Sequence, residues 1–435
     1  MAKIGSKKTT GMKATLSVAM ANYIEAGSIV AGAGGLSLWV EYLNLDDIKI
    51  GLLGAVSANA FGAAVGAIIG GYLCDKLGRK FIYTYDLLIY MLGMILIIFS
   101  FNFPMLLVGY IITGLAVGAG VPASWTYIAE EAPHKKRAAH TGMAQLAWSF
   151  GPVIALLLSV VLAPLGLLGS RIIFGHLLVI AFITWYIRQG LSESAIWKEE
   201  KEKQKKQKTP STTNAIKELF SLKVNRKALF LLLGVYLFWN LTAGAMGFFM
   251  PYIYETVGGL SASKANLLQS LLWVFTVLTT YFVFIKLADK FSRKAIYAAS
   301  AIMGIAAWML LVFAPMTTPV LLLFVFLWGA SAGFGAQAFY GLWASELFPT
   351  RYRAQAQGVM FFIARIGVGL WTAVMPTIIT QLGFSVAGGI MIAFLVVAAL
   401  IGTLGAPDTQ GKTLQEIEKE RYSDQSNGST SKKAV

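Results

Sequence analysis

Apolar residues along this chain run in long blocks separated by short polar turns. Twelve blocks can be counted, at about 14–40, 50–73, 81–100, 103–128, 141–163, 169–187, 228–254, 265–288, 295–315, 318–345, 355–381 and 383–404. Roughly 20 apolar residues cross a bilayer as a helix, so each block predicts one transmembrane helix. The longest polar stretch inside the chain, 188–227, divides the blocks six and six. The expected organisation is a six-helix bundle at 1–187, a linker at 188–227, a second six-helix bundle at 228–405 and a polar tail at 406–435. The charge run at 198–208 reads as a solvated helix, and the Pro/Ser/Thr-rich stretch 209–214 as a break. The end of the tail is expected to be disordered.

Composition agrees. The chain is 57% apolar and 13% charged, with mean hydropathy +0.66; a soluble protein of this size needs far more surface charge. The net charge of +15 invites a nucleic-acid reading, but its distribution opposes it. All but four of the 36 Lys and Arg residues fall in the segments that share a side with both termini. Lys49, Arg171 and Lys264 fall on the other side, and Arg365 lies within a block. This bias predicts cytoplasmic termini, a multi-pass protein of the cell membrane and no nucleic-acid partner. Cys74 is the single cysteine and excludes an internal disulfide. Residues 1–13 are basic and lead into a block too long for a signal-peptide core, so that block is expected to stay as the first helix.

Two polar motifs recur. Gly71-Tyr-Leu-Cys-Asp75-Lys76-Leu-Gly78-Arg79-Lys80 follows the second block, and Asp289-Lys290-Phe-Ser-Arg293-Lys294 returns 214 residues later. Glu130-Glu-Ala-Pro133-His-Lys-Lys-Arg137 and Glu346-Leu-Phe-Pro349-Thr-Arg-Tyr-Arg353 both read ExxPxxxR, 216 residues apart. Two independent repeats agree on the offset within two residues, so the chain is a duplication whose halves are related by an axis along the membrane normal. A duplicated bundle of spanning helices is the build of a secondary transporter. Metal-ligand clusters, a phosphate-binding loop and a nucleophile constellation are absent from the sequence, which argues against an enzyme, an ATP-driven pump or a cofactor.

The loop motifs carry gating chemistry. Gly71 and Gly78 allow close backbone approach and a sharp turn. Asp75 suits a helix N-terminus or a basic partner, and Arg79 and Lys80 face anionic lipid or carboxylates. Asp289 and Arg293 repeat these roles. Glu130 with Arg137, and Glu346 with Arg353, are expected to pair across the cytoplasmic mouth.

The glycine-acid-arginine loop resembles that of the major facilitator superfamily. Three further segments resemble its sugar-porter branch: Glu346–Arg353, Ser192-Glu-Ser-Ala-Ile-Trp197, and Pro407-Asp-Thr-Gln-Gly411-Lys-Thr-Leu-Gln-Glu416. The whole is most similar to bacterial inositol transporters. The resemblance implies alternating access and a pocket between the halves. Departures are clear. Where sugar porters carry a Gln-Gln pair and an Asn in span seven, Trp239-Asn240-Leu-Thr-Ala stands here. Gln145 of span five is retained, but a second Gln is replaced by Pro152, and the Trp common in span ten falls on Gly341. Gly151-Pro152 resembles the span-five pair of drug antiporters without the small residues that should follow.

Insertion of a charge at the bilayer centre costs about 2.5–3.5 kcal/mol, and two charges within the apolar blocks stand out. Glu25, in span one, resembles the proton-coupling carboxylate of the branch, although the family's basic partner at the start of span four is replaced by Tyr110. Arg365, in span eleven, has two readings: it pairs with an acid such as Glu25, or it clamps a substrate carboxylate with its planar fork. Asp86 reads as structural, and His176 as a packing residue. Gln145, Trp148, Trp239, Asn240, Gln337 and Tyr340 form a polar-aromatic set suited to a polyol, because amides both donate to and accept from hydroxyls. Interhelical hydrogen bonding is the plainer account of each. The sequence therefore predicts proton-coupled uptake of a cyclic polyol or sugar, with myo-inositol as the leading candidate. Symport of a small organic anion through Arg365, and uniport, are the alternatives.

Overall fold

The computed structural model describes residues 12–57, 60–131, 137–190, 193, 198, 201–202, 219–348, 350–413 and 415–422. Most of the 188–227 linker and the last part of the tail lie outside them. So do the side chains of Asp75, Glu130, Arg137 and Arg353.

The regular structure of the described residues is helical: α1 Met12–Gly34, α2 Leu36–Leu43, α3 Asp47–Val56, α4 Phe61–Leu77, α5 Arg79–Ile98, α6 Phe103–Glu131, α7 Arg137–Leu162, α8 Leu167–Arg188, α9 Lys223–Thr256, α10 Ala262–Thr279, α11 Arg293–Phe313, α12 Thr318–Phe334, α13 Ala336–Leu347, α14 Thr350–Leu382 and α15 Phe384–Gly405. Eleven helical stretches among the described residues are long and apolar enough to cross a membrane, and they match the second to twelfth blocks. The first block is α1 with the start of α2, and α1 carries most of it. Its Ser17, Asn22, Glu25 and Ser28 depress its hydropathy, yet all four are buried. It packs on α6, α7 and α8 and also touches α9.

Three blocks are not single helices. The first breaks at Gly35 between α1 and α2, the second between α3 and α4, and the tenth at Gly335 between α12 and α13. A Cβ on Gly335 would lie 2.5 Å from the Ser331 carbonyl oxygen.

Between helices in a bilayer there is little hydrophobic drive, so small residues and hydroxyls make the contacts. Both halves use glycine, and the second adds hydroxyls. In the first, Gly62, Gly66 and Gly70 of α4 form a row against α6. A Cβ on Gly66 would lie 2.1 Å from Leu115 O, and one on Gly118 2.1 Å from Ala63 O. In the second, the hydroxyls of Thr276, Thr279 and Thr280 donate to the carbonyls of Gly329, Ala330 and Gly333 at 3.0, 3.1 and 2.9 Å. There α10 runs into a π-helical turn, Thr280–Ile285.

The halves meet along a seam on the face away from the termini. A Cβ on Gly51 of α3 would stand 2.3 Å from Ala373 O of α14, and one on Gly369 of α14 would stand 2.5 Å from the Phe61 ring of α4. Asn266 Nδ2 of α10 donates to Gly34 O of α1 at 3.0 Å.

Candidate functional site

Beneath that seam lies a narrow cavity between the halves. Five of the six residues of the expected polar-aromatic set line it: Gln145 and Trp148 from α7, Trp239 and Asn240 from α9, and Gln337 from α13. Tyr340 does not. It is fully buried, with its ring stacked on Tyr236 at a centroid distance of 3.9 Å and 13° between planes. Tyr340 thus supports the wall through Tyr236 of α9. Asn240 Nδ2 donates to Tyr236 O at 3.0 Å, which leaves its carbonyl oxygen for other partners.

The sequence reading missed Trp273 and Trp328, which complete a lining with four indoles. Both indole N–H groups lack a hydrogen-bond partner among the described residues. Their signal was present: tryptophan in a spanning helix favours the membrane interfaces, and both stand near the middle of their blocks.

At the cavity's edge the two intramembrane charges meet. Arg365 Nη2 of α14 donates to Glu25 Oε1 of α1 at 2.8 Å, with both side chains buried. Trp148 Nε1 donates to Oε2 at 3.2 Å, and the guanidinium lies 4.4 Å from the Phe361 ring centroid. The basic partner of Glu25 thus comes from span eleven. Tyr110, which stands in its expected place, instead packs edge-on against Phe174 and Phe248. Glu25 and Arg365 belong to different halves of the duplication, so their bond is also a tie between halves.

His176 accepts or shares a hydrogen bond with the Tyr23 hydroxyl at 3.0 Å, as a packing residue does. Asp86 is structural: its Oδ2 lies 3.5 Å from Arg188 Nη1. Arg188 in turn donates to Ser17 O and Val18 O at 3.1 and 2.9 Å, pinning the start of α1 to the end of α8.

The repeated loop motifs meet each other on the face that carries the termini. Arg293 Nη1 bonds both oxygens of Glu346 at 3.0 and 2.9 Å, and also Thr409 Oγ1 at 2.9 Å. Its Nη2 reaches Asp289 Oδ1 at 3.0 Å. The described partner of Glu346 is Arg293; the expected pairing with Arg353 falls on a side chain outside the described residues. All four groups belong to the second half, so this network fastens one half internally and does not bridge the mouth. In the first half, the backbone N–H groups of Arg79 and Lys80 donate to Glu193 Oε1 and Oε2, both at 3.0 Å. A carboxylate there suits the positive end of α5. Gly78 turns the chain into α5 at φ 102°, which favours glycine. Gly71 does not make the expected close approach, since a Cβ there would meet nothing within 4 Å; the adjacent Gly70 faces Ala119 instead. The tail motif also has a physical basis. Thr413 and Glu416 exchange hydrogen bonds as a capping box at 2.7 and 3.2 Å, and the Thr413 N–H holds the Glu416 carboxyl below its ordinary pKa.

Arg293→Ala strands a largely buried Glu346 carboxylate. It is expected to lower stability by about 3 kcal/mol, the low end for a broken buried pair because both groups keep some water. Thermal unfolding in micelles measures this, with Arg293→Lys intermediate because an ammonium lacks the two-pronged geometry.

A Major Facilitator Superfamily model matches residues 14–372. The chain belongs to the major facilitator superfamily. Over 94% of its length and 94% of the relative's, it is 52% identical to the minor myo-inositol transporter IolF of Bacillus subtilis. It is 28% identical to the cis,cis-muconate transport protein of Acinetobacter baylyi, over 82% of this chain and 83% of that one. Among solved structures, it superposes on the proton:xylose symporter XylE bound to 6-bromo-6-deoxy-D-glucose with a TM-score of 0.76. That match covers 93% of this chain and 98% of the other, at 20% identity, and speaks to the fold. As a superfamily member with these spans, the chain is a multi-pass membrane transporter and not an enzyme.

Proposed function

We propose that the chain is a proton-coupled symporter of a cyclic polyol, with myo-inositol its leading substrate, in the cell membrane with both termini cytoplasmic. The observation that carries this is the Glu25–Arg365 pair: a protonatable group ties the two halves together at the edge of an amide- and indole-lined cavity. Protonation of Glu25 removes the ionic tie and lets the halves rock, so that the cavity opens alternately to each side. Gln145, Asn240 and Gln337 supply paired donors and acceptors for ring hydroxyls, and the indole faces pack against the ring's C–H side. The 52% identity to a relative named for myo-inositol supports the choice of solute.

Transport of an organic anion is the second reading, favoured by Arg365 at the cavity wall and by the relative named for cis,cis-muconate. Against it, Glu25 already neutralises the guanidinium in this state, which weakens its pull on a second carboxylate.

Uptake of labelled myo-inositol by proteoliposomes under an imposed inward proton gradient tests the proposal. Accumulation that collapses with a protonophore supports symport. Equilibration without accumulation indicates uniport. No myo-inositol transport, together with uptake of a dicarboxylate, turns the assignment to anions.

A further inference from the structure

We propose that Trp148 is a positioning residue that links the charge on Glu25 to occupancy of the cavity. This rests on the proton-coupled reading above. One side chain touches all three parties. Its Nε1–H donates to Glu25 Oε2, the oxygen that Arg365 does not take. Its ring lines the cavity beside Gln145. The same ring meets Trp273 of the opposite half edge to face, with centroids 5.1 Å apart and planes at 67°.

A carboxylate accepts a markedly stronger hydrogen bond than a neutral acid. Protonation of Glu25 therefore loosens the indole at the same moment as the guanidinium. The ring is then free to turn against Trp273, and the cavity wall changes shape. In the other direction, a polyol packed on the ring fixes the direction of its N–H and so favours one charge state of Glu25. Such coupling is reciprocal by linkage.

The neighbours of Glu25 leave this role to Trp148. Among the described residues, the hydrogen bonds to the carboxylate come from Arg365 and Trp148. Of the helices packed on α1, α9 brings the Tyr236 hydroxyl within electrostatic range of Glu25. From α6 comes Tyr110, enclosed by Phe174 and Phe248. From α8 comes His176, engaged with Tyr23. Tyr90 of α5 is bonded to Ser28 at 2.6 Å. The described side chains of α7 include no titratable group.

Trp148→Phe keeps a ring and removes the donor. Two measurements decide. Acid titration of intrinsic tryptophan emission in solute-free protein is expected to show a transition in the parent chain that is lost in both Glu25→Gln and Trp148→Phe. The rate of labelled myo-inositol exchange against pH is expected to move its midpoint by about one unit in Trp148→Phe, the scale of one lost hydrogen bond to a charged form. Gln145→Ala, which alters the same cavity without touching Glu25, is expected to raise KM and leave that midpoint in place. An unchanged emission transition and midpoint in Trp148→Phe overturn the proposal. If the variant does not insert, the parent chain still decides: saturating myo-inositol must shift its emission midpoint, and no shift overturns the link. A parent chain that never transports myo-inositol sinks the substrate reading, while the solute-free comparison with Glu25→Gln still tests whether the indole reports Glu25.

Discussion

Glu25→Gln is expected to abolish accumulation of solute against its gradient while exchange of labelled solute continues. The amide is nearly isosteric, and its carbonyl oxygen can still accept from Arg365, which bonds Glu25 at 2.8 Å, while its NH2 takes the place of the oxygen that accepts from Trp148 at 3.2 Å and loses that bond. It cannot take up or release a proton, so the driving gradient has no handle on the protein. The substitution does leave the Arg365 charge buried without its counter-ion, a loss of about 3–5 kcal/mol where a buried pair is broken outright; the retained hydrogen bond to the amide oxygen softens this. Counterflow in proteoliposomes, read beside gradient-driven uptake, separates the two activities. Undiminished accumulation rules out Glu25 as the coupling group. Loss of exchange as well assigns the pair to holding the halves together.

Gly118→Leu should leave no functional protein. The first atom of the new side chain would lie 2.1 Å from Ala63 O and 2.7 Å from its Cα, both backbone atoms of the facing helix. No rotamer relieves a clash at Cβ, so α4 and α6 must separate and forfeit the row of glycine contacts along their length. Size-exclusion profiles should shift from a monodisperse peak to aggregate. Gly71→Leu, in open space one residue beyond that row, should leave the profile intact. If Gly118→Leu gives a well-folded transporter, the row is not what holds these helices.

Much of this architecture was legible in the sequence because its causes are local. A block of apolar residues needs no partner to announce a spanning helix, and the offset of two charged loops announces the duplication. Glu25 and Arg365 stood out as charges in apolar surroundings. That they bind each other was one of two readings of Arg365, since nothing in the chain relates residues 340 positions apart. Tyr340 was misplaced because α13 is apolar on most sides, and a helix without a polar face does not reveal which side meets the cavity. The Arg293–Glu346 fork escaped for another reason. Each residue belongs to a different repeat, and the motif ExxPxxxR offered a nearer arginine, whereas the fold brings the first repeat onto the second. Arg188 looked like one of many linker charges, and only its burial against the carbonyls of α1 sets it apart.

The seam between α3–α4 and α14 sets how the resting protein behaves electrically. Gly51 lies against the Ala373 backbone and Gly369 against the Phe61 ring, with helix backbone on both sides at the first contact and on one side at the second. Helix backbone is held by its own hydrogen bonds and moves only with its helix, so the described contact at Gly51 does not yield to the turn of a single side chain. This face is shut, or it opens by displacement of a whole helix pair. An idle copy in a bilayer should therefore pass no measurable current, and a cell can keep many copies in its membrane without draining the ion gradient on which they draw.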